Sequence, residues 1–341
     1  MKKNKLNWLI ASLLGLVFLV IWINIVDWRE FLTYFTQVNV VPILLFSIFY
    51  LLAFFFRSLR WKIILNPIYR MKLGESYGIF MSGLLINYLI PVRAGEIAKS
   101  LILKINHDIH ISKSLPTILI DKITDLFPII IIIFLIPLIT VELNGTLKTI
   151  IIALFIIFLL FLAFLIFSVH HKHKAIKFLN IFLKLIPLRY RSLLAEFFVN
   201  FVEGMAIMKG RTLSHIAIYL LTICAVISEA LYIWMVFLSF GAQVDFWQIL
   251  FGYTLMNLTY ILPTPPAQIG SNQVMWVLIF SFALGINENL TSAAVTFSHL
   301  LTAFWIFLVG IISFLALKIK FKEIVPAAKN RIKYEKTGNY E

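Results

Sequence analysis

Long apolar stretches separated by short basic segments constrain this sequence more than any other feature. Six of them approach or exceed the roughly 20 residues that a helix needs to cross a bilayer: 6–26, 38–56, 115–140, 147–169, 213–240 and 291–317. Only 13% of the residues are charged, against roughly 25% in soluble domains. The sequence therefore predicts an all-α polytopic membrane protein with about six full spans.

Two further apolar stretches, 76–104 and 246–285, each contain a Pro and Gly interruption near the middle. Broken backbone is tolerated at membrane depth only where it is buried in protein or lines a wet cavity. We therefore expect each stretch to form a re-entrant helical hairpin. The alternative is that both are kinked spanning helices, since Pro and Gly are frequent in membrane helices.

The positions of Lys and Arg predict the orientation. With a cytoplasmic N-terminus and two re-entrant hairpins, 27 of the 30 Lys and Arg residues lie on the cytoplasmic side, as the positive-inside rule requires. The exceptions are Arg29 and Lys148 outside and Lys122 within a span. We expect a multi-pass protein of the cytoplasmic membrane with both termini in the cytoplasm. Orientation accounts for the net charge of +14, so no nucleic-acid partner is expected.

Several classes of site have no signature in the sequence. Cys224 is the only cysteine, so no intramolecular disulfide can form. Neither a metal-ligand spacing nor a phosphate-binding loop is present. We therefore expect no metal, no cofactor and no catalytic residues. Segment 170–211 is basic and amphipathic and is predicted to lie on the inner membrane surface. Residues 318–341 form a basic tail, which is predicted to be cytoplasmic.

The two interrupted stretches share an order of residues. In the first, Asn87 is followed by Pro91 and Gly95, and in the second Asn257 is followed by Pro263 and Gly270. In the predicted topology the first hairpin enters from the inside and the second from the outside. This predicts an inverted repeat of 38–140 and 213–317 within one domain, 1–317, joined by span 147–169 and segment 170–211. Such repeats are typical of transporters with a midplane site.

Three parts of the sequence resemble the lysylphosphatidylglycerol synthase transmembrane region: segment 87–104, the downstream residues Asp121-Lys122-Ile-Thr-Asp125, and segment 262–273. This flippase-like family also forms the N-terminal half of the multiple peptide resistance factor. The resemblance covers nearly the whole chain, and its first motif is Asn, then Pro-x-Arg-x-Gly-Glu. It implies translocation of a lipid with a polar or phosphate-containing head group between leaflets.

Two departures from the family pattern stand out. Family members usually show Pro-Gly-Gly-x-Gly followed shortly by Glu, whereas this chain has Pro266-Ala-Gln268-Ile-Gly270 and then Gln273. An amide thus replaces a carboxylate, which makes a substrate of different head-group charge plausible. In addition, no soluble aminoacyl-transfer domain follows Leu317, so we do not expect the chain to make aminoacyl lipids.

Charges at membrane depth cost on the order of 3 kcal/mol and usually face a partner or a wet cavity. Arg93 is the predicted phosphate ligand, because a guanidinium can bind phosphate oxygens in a bidentate manner. Lys99 is expected to add a second positive charge. The alternative is structural, with Glu96 neutralising Arg93 or Lys99 and fixing the hairpin.

Asp121, Lys122 and Asp125 share one face of the next span. They mark the inner interface, or they pair with Arg93 and gate the cavity. Glu229 lies within an apolar span with no charged neighbour there, so it needs a distant donor, a proton or water. The predicted head-group residues are Asn87, Pro91, Arg93, Gly95, Glu96, Lys99, Asp121, Lys122, Asp125, Glu229, Asn257, Pro263, Pro266, Gln268, Gly270, Asn272 and Gln273.

Three functions are compatible with these features. The leading hypothesis is a lipid translocase, in which Asn87 and Asn257 hydrogen-bond backbone freed by the helix breaks. The second is an integral-membrane enzyme acting on lipid phosphates, with Glu96 or Asp125 as general base. The third is a scaffold that recruits a lipid-modifying enzyme through segment 170–211. Membrane lipids are the expected partners, and the oligomeric state is not predicted.

Overall fold

A computed structural model describes residues 2–90, 94–140, 212–259 and 265–319, and isolated positions between 149 and 191. Within the four continuous ranges the chain forms α-helices and no strands, which confirms the all-α prediction. The helices are α1 Lys2–Ile25, α2 Trp28–Gln37, α3 Val40–Leu65, α4 Leu73–Leu89, α5 Ala94–His107, α6 Ile111–Thr140, α7 Thr212–Ser239, α8 Phe246–Thr259, α9 Ser271–Trp276 and α10 Glu288–Ala316. A 3-10 turn, Pro266–Gln268, precedes α9, and a π-helical segment, Val277–Ala283, continues it.

Three helices in the described ranges are long and apolar enough to cross a bilayer: α3, α7 from Leu213 onward, and α10. At about 1.5 Å per residue, 26 residues of α3 extend about 39 Å. Helices α1 and α6 cover the predicted spans 6–26 and 115–140. The predicted span 147–169, segment 170–211 and most of the tail 318–341 lie outside the described residues, so six spans stay a prediction.

Helix α3 is longer than the sequence suggested. The predicted span ended at residue 56, but the helix continues to Leu65. Trp61, Ile64 and Leu65 are buried, so the core-facing side of the helix persists beyond the last uniformly apolar stretch. Arg57 and Arg60, which the charge count assigned to the cytoplasmic side, therefore lie within the helix.

A short amphipathic helix, α2, forms most of the connection between α1 and α3, which the sequence predicts only to lie on the outer side. The Asp27 carboxylate caps it by accepting from the backbone N–H groups of Arg29 and Glu30 at 2.9 and 3.2 Å. The Phe31 ring packs edge-on against Trp22 at 6.1 Å between centroids. Glu30 accepts hydrogen bonds from the side chains at the start of α10, which ties α2 to that helix.

Helices α3 and α7 form the most extensive helix pair of the structure. The backbone N–H of Asn39, just before α3, donates to the Ser239 carbonyl at the end of α7, at 3.2 Å. Toward the other end, Arg60 of α3 donates to the Thr222 hydroxyl of α7 at 3.0 Å. The two helices are therefore antiparallel.

Helices α4 and α5 form the first hairpin. At its open end the Glu75 carboxylate of α4 pairs with the His107 imidazole of α5. At its tip the Asn87 side-chain oxygen accepts from the Gly95 N–H at 2.7 Å. Because the first turn of α4 lies beside the last turn of α5, this stretch turns back on itself and is not a kinked spanning helix. The turn itself, 91–93, lies outside the described residues.

Tyr69, in the connection before α4, completes the open end of this hairpin. Its hydroxyl lies 2.9 Å from His107 Nδ1. Partial burial, with the nearby Glu75 carboxylate, raises the pKa of Tyr69, so the phenol remains protonated and able to donate to the ring. The ring therefore uses one nitrogen toward the tyrosine and the other toward the carboxylate.

The second hairpin consists of α8, the 3-10 turn, α9 and the π-helical segment. At its open end the Gln248 side chain donates to the Leu284 carbonyl at 2.9 Å. Farther in, a Cβ added to Gly252 would lie 2.3 Å from the Phe280 ring, which shows how closely the two legs approach. The two legs of this stretch therefore also run side by side; residues 260–264 lie outside the described part of the chain.

The hairpin tips lie against the middle of long helices. A Cβ added to Gly270, at the second tip, would lie 2.6 Å from the Leu19 nitrogen in α1. Tyr88, at the first tip, contacts His299 and Phe307 of α10. Helix α4 also contacts the 3-10 turn Pro266–Gln268, so the two tips meet.

The second tip has an unusual backbone. Ala267 and Gln268 have φ values of 53° and 56°, and Gly270 has a φ of 77°. Left-handed backbone costs a non-glycine residue about 1–2 kcal/mol. This chain thus holds two side-chain-bearing residues in a conformation that glycine adopts without that cost.

We predict that replacing Gly95 with alanine destabilises the first hairpin by about 3 kcal/mol or more. The added Cβ would lie 1.8 Å from the Gly83 carbonyl oxygen, so the two legs must separate. Thermal unfolding in detergent measures the effect. Gly74→Ala is the matched control, because no atom lies within 4 Å of its added Cβ. Equal loss of stability in both variants would contradict the close packing.

We predict that Ala267→Gly and Gln268→Gly each raise the unfolding free energy by about 0.5–1 kcal/mol, because they remove a left-handed strain. The same thermal measurement checks this. Gly285→Ala tests the reverse change, since Gly285 has a φ of 75° and open space around it. That variant should lose about 1 kcal/mol; an unchanged value would argue against strain at all three positions.

Candidate functional site

A network of charged side chains joins α3, α5, α6, α7 and α8 inside the protein. It consists of Arg57, Arg60, Glu96, Lys99, Asp121, Lys122, Asp125, Glu229 and the hydroxyl of Tyr253. Removing a charge from water is costly unless the partner geometry is good and the remaining hydrogen bonds are satisfied. Each helix of the network therefore depends on the others for its position.

Arg57 is the first branch point. Its guanidinium lies 2.6 Å from the Glu229 carboxylate of α7 and 2.9 Å from the Tyr253 hydroxyl of α8. Its Nε also lies 3.7 Å from Asp125 of α6. The Tyr253 hydroxyl donates to Glu229, so these three groups form a closed triangle. Glu229 thus has the distant donor that the sequence analysis required.

Arg60, one turn later in α3, is fully buried and uses all of its nitrogens. Two of them lie 2.8 Å from Asp121 Oδ1, and a third lies 2.8 Å from Asp125. The guanidinium also donates to the Asp121 carbonyl and the Thr222 hydroxyl, each at 3.0 Å. Asp121 and Asp125 therefore pair with an arginine of α3.

The first hairpin joins the network through Glu96. Its carboxylate lies 2.7 Å from Lys99 of the same helix and 3.1 Å from Lys122 of α6. The Lys99 ammonium also lies over the rings of Phe80 and Trp61, at 4.1 and 5.6 Å from their centroids. Lys99 is thus enclosed between two aromatic rings and one carboxylate.

The network is fully buried on one side and partly exposed on the other. Arg60 and Asp121 are 0% exposed, whereas the side chain of Lys122 is 40% exposed and that of Asp125 is 23% exposed. Lys99 is buried together with Arg60 and Asp121. Lys122 is therefore the most exposed cation of the described network. The Lys99 ammonium is enclosed, and its role as a second positive charge for a ligand stays a prediction.

The charges of the described network balance. Its basic members are Arg57, Arg60, Lys99 and Lys122, and its acidic members are Glu96, Asp121, Asp125 and Glu229. With all eight groups ionised their net charge is zero. The structural alternative for Glu96, that it fixes the hairpin by pairing with Lys99, agrees with this geometry.

The other predicted site residues divide between the two tips. Asn87 and Gly95 hydrogen-bond each other at the first tip, as predicted for Asn87. At the second tip lie Pro266, Gln268, Gly270, Asn272 and Gln273. Pro91, Arg93 and Pro263 lie outside the described residues. The Asn257 side-chain nitrogen donates to the Tyr253 carbonyl, within its own helix, at 3.0 Å, so a bond from Asn257 to backbone freed by the helix break stays a prediction.

Gln273 has a defined structural role. Its side-chain oxygen accepts from the Gly270 N–H at 2.9 Å, which caps the start of α9. Its nitrogen lies 3.3 Å from His299 Nδ1 in α10. The amide thus connects the second tip to the following long helix.

Sequence reasoning missed Arg57, Arg60 and Tyr253. The two arginines follow the apolar stretch 38–56 and belong to the 27 basic residues assigned to the cytoplasmic side. A signal was available, because Arg57, Trp61, Ile64 and Leu65 continue the helical spacing of core residues. Tyr253 has no such signal, since a tyrosine in an apolar helix gives no indication of a charged partner.

The fold and this site define an all-helical membrane protein with a buried ion-pair network beside two helical hairpins. The model of the family described as lysylphosphatidylglycerol synthase TM region matches residues 8–310, so the chain belongs to that family. A "UPF0104 membrane protein" from Methanothermobacter thermautotrophicus is 24% identical over 236 residues, which covers 66% of this chain and 68% of the relative. No solved structure matches the chain.

We predict that Arg57→Met lowers the unfolding free energy by about 3–5 kcal/mol, because it leaves the Glu229 carboxylate buried without its cation. Arg57→Met combined with Glu229→Gln should recover part of this loss. Thermal unfolding of both single variants and the double variant measures the coupling. Lys62→Met, on the same helix and with a partly exposed side chain, is the control. Strictly additive losses would contradict the pairing.

Proposed function

We propose that this protein is a lipid translocase of the cytoplasmic membrane, which moves a lipid with a phosphate-containing head group between leaflets. The observation that supports this best is the meeting of two broken hairpin tips beside a balanced ion-pair network with a partly exposed edge. Polar groups inside membrane proteins usually mark substrate pathways. The acyl chains are proposed to stay in the bilayer while the head group crosses.

The proposal includes an inverted repeat of 38–140 and 213–317. The pattern of helix contacts supports it: α3 packs on α4 as α7 packs on α8, and α4 packs on α10 as α8 packs on α6. The antiparallel pairing of α3 and α7 agrees with opposite directions of the two halves. In this scheme both hairpins are re-entrant, one from each side of the membrane.

The proposed head-group site lies where the tips meet. The contacts with Gly15–Leu19 of α1 and with His299 and Phe307 of α10 fall near the middle of these helices. If both helices cross the bilayer, as their lengths allow, the tips lie near its midplane. Transporters with broken helices in inverted repeats bind their substrates at this depth.

Arg93 remains our proposed phosphate ligand. Because the eight described charges of the network balance one another, Arg93 adds a cation that the network does not need for neutrality. Lys122 is the proposed second contact, since it is the most exposed cation of the network and lies one residue from the Asp121 that anchors α6. We assign Lys99 a positioning role through Glu96.

This proposal predicts that Arg93→Ala abolishes leaflet exchange of phosphate-headed lipids while leaving the protein folded. The assay reconstitutes purified protein into vesicles and follows head-group-labelled lipids that are zwitterionic, anionic, aminoacylated or polyprenyl-linked. Arg70→Ala is the control, because Arg70 is exposed in the connection before α4. Lys122→Met should slow exchange less severely, since one phosphate contact remains.

Two outcomes would contradict the proposal. Wild-type exchange no faster than that of empty vesicles would argue for the scaffold hypothesis, and partner capture through segment 170–211 would follow. Recovery of chemically altered lipid would indicate an enzyme, because translocation breaks no covalent bond. Exchange that persists in Arg93→Ala at equal reconstitution would leave the activity intact but reject Arg93 as the ligand.

A further inference from the structure

His299 lies between the two hairpin tips and contacts both of them. Its Nε2 lies 3.0 Å from the Tyr88 hydroxyl at the first tip. Its Nδ1 lies 3.3 Å from the Gln273 side-chain nitrogen at the second tip. The ring is buried, although it belongs to none of the ion pairs described above. This one side chain therefore connects the two tips through α10.

The hydrogen bonds around Gln273 determine the protonation state in which this connection is complete. The Gly270 N–H donates to the Gln273 oxygen, so the amide nitrogen must face His299. An amide nitrogen only donates, and His299 Nδ1 must therefore accept. The remaining proton is on Nε2, which donates to the Tyr88 hydroxyl. The link is complete only when the imidazole is neutral.

A corresponding link occurs in the other half of the chain. Glu96 is the third residue of α5, and Gln273 is the third residue of α9. Each contacts the long helix that follows its hairpin: Glu96 pairs with Lys122 of α6, and Gln273 contacts His299 of α10. The first link is an ion pair, whereas the second is a hydrogen bond to a group that can gain a proton.

We propose that His299 is a proton-operated connector, whose protonation transfers its hydrogen bond within the second tip from Gln273 to the Ala267 carbonyl and so couples a rearrangement of that hairpin to a proton. An added proton on Nδ1 faces the Gln273 amide nitrogen, and two donors cannot form a hydrogen bond. The contact with Tyr88 survives, because Nε2 still carries its proton. Only the second tip therefore changes its contact with α10.

The groups that face the ring favour such a local response. Among the described residues, those in contact with it are Tyr88 from α4, Gln273 from α9 and the backbone carbonyl of Ala267, and no charged side chain is among them. Arg93 and 260–264 lie outside the described residues. The Ala267 carbonyl accepts from the imidazolium, so the protonated ring stays bonded to the second tip through Ala267 instead of Gln273.

The backbone of the second tip favours a rearrangement once the hydrogen bond between Gln273 and His299 is lost. Ala267 and Gln268 are held in left-handed conformations, which persist only when the surrounding structure enforces them. The Gln273 link is one of the contacts that do so. Loss of this hydrogen bond therefore allows the strained backbone of the tip to relax.

This inference deepens the proposed function and is tested by a distance, which requires no transport. With Cys224 replaced by alanine, spin labels at Ile97→Cys and Ile269→Cys report the separation of the first hairpin and the second tip; both side chains are exposed. We expect the distance distribution in reconstituted wild type to shift by roughly 2 Å or more between about pH 8 and about pH 5.

Two variants give the decisive comparison. His299→Gln can donate to Tyr88 and accept from Gln273 but cannot titrate, so its distribution should be the same at both pH values. Gln273→Glu accepts from Gly270 as before and from Nδ1–H of either the neutral ring or the imidazolium, because the Tyr88 hydroxyl can then donate to Nε2; its contact with the ring should therefore persist at both pH values. A wild-type distribution independent of pH, or an unchanged response in His299→Gln, would overturn the proposal.

Leaflet exchange measured in the same vesicles separates the two proposals. Exchange without any dependence on pH or on His299 would reject the connector and leave the translocase. A pH-dependent distance without exchange would reject the translocase and leave the connector as a conformational device. His299→Gln should therefore abolish the change in exchange rate between about pH 5 and about pH 8.

Discussion

The two arginines of α3 are the constraint on which the rest of the structure depends. A buried guanidinium needs partners on several sides, and Arg57 and Arg60 find theirs on α6, α7 and α8. Replacement of a buried ion pair by apolar residues often costs nothing, but loss of one partner is severe. The arrangement therefore contributes less to total stability than to a single relative placement of helices, and both hairpins are positioned against it.

In the inverted repeat proposed above, the two halves make corresponding contacts with different chemistry. In the first, an ion pair between Glu96 and Lys122 joins the hairpin to its neighbouring helix. In the second, neutral groups make the corresponding contact, through Gln273 and His299. Under the proposed mechanism a proton changes only the second contact, so the second hairpin rearranges while the first stays in place.

Sequence reasoning predicted the features that depend on segment length and on Pro and Gly. The helical hairpins, the tip hydrogen bond of Asn87 and the need of Glu229 for a remote donor all followed from such local signals. The donor itself, Arg57, could not be predicted, because an arginine lowers the local hydropathy whether it lies in a loop or faces inward on a continuing helix. Backbone conformation at Ala267 was equally inaccessible, since alanine gives no sign of a left-handed φ.

The first helix crosses the second tip with no free space. Gly15 faces Pro265, and Gly270 faces the backbone of Leu19, at distances that leave no room for a methyl group. Helix α1 therefore cannot remain still while this tip tilts toward it, and the two must move as one body or separate completely. A bulky label fixed to α1 would consequently restrict any movement of the second hairpin.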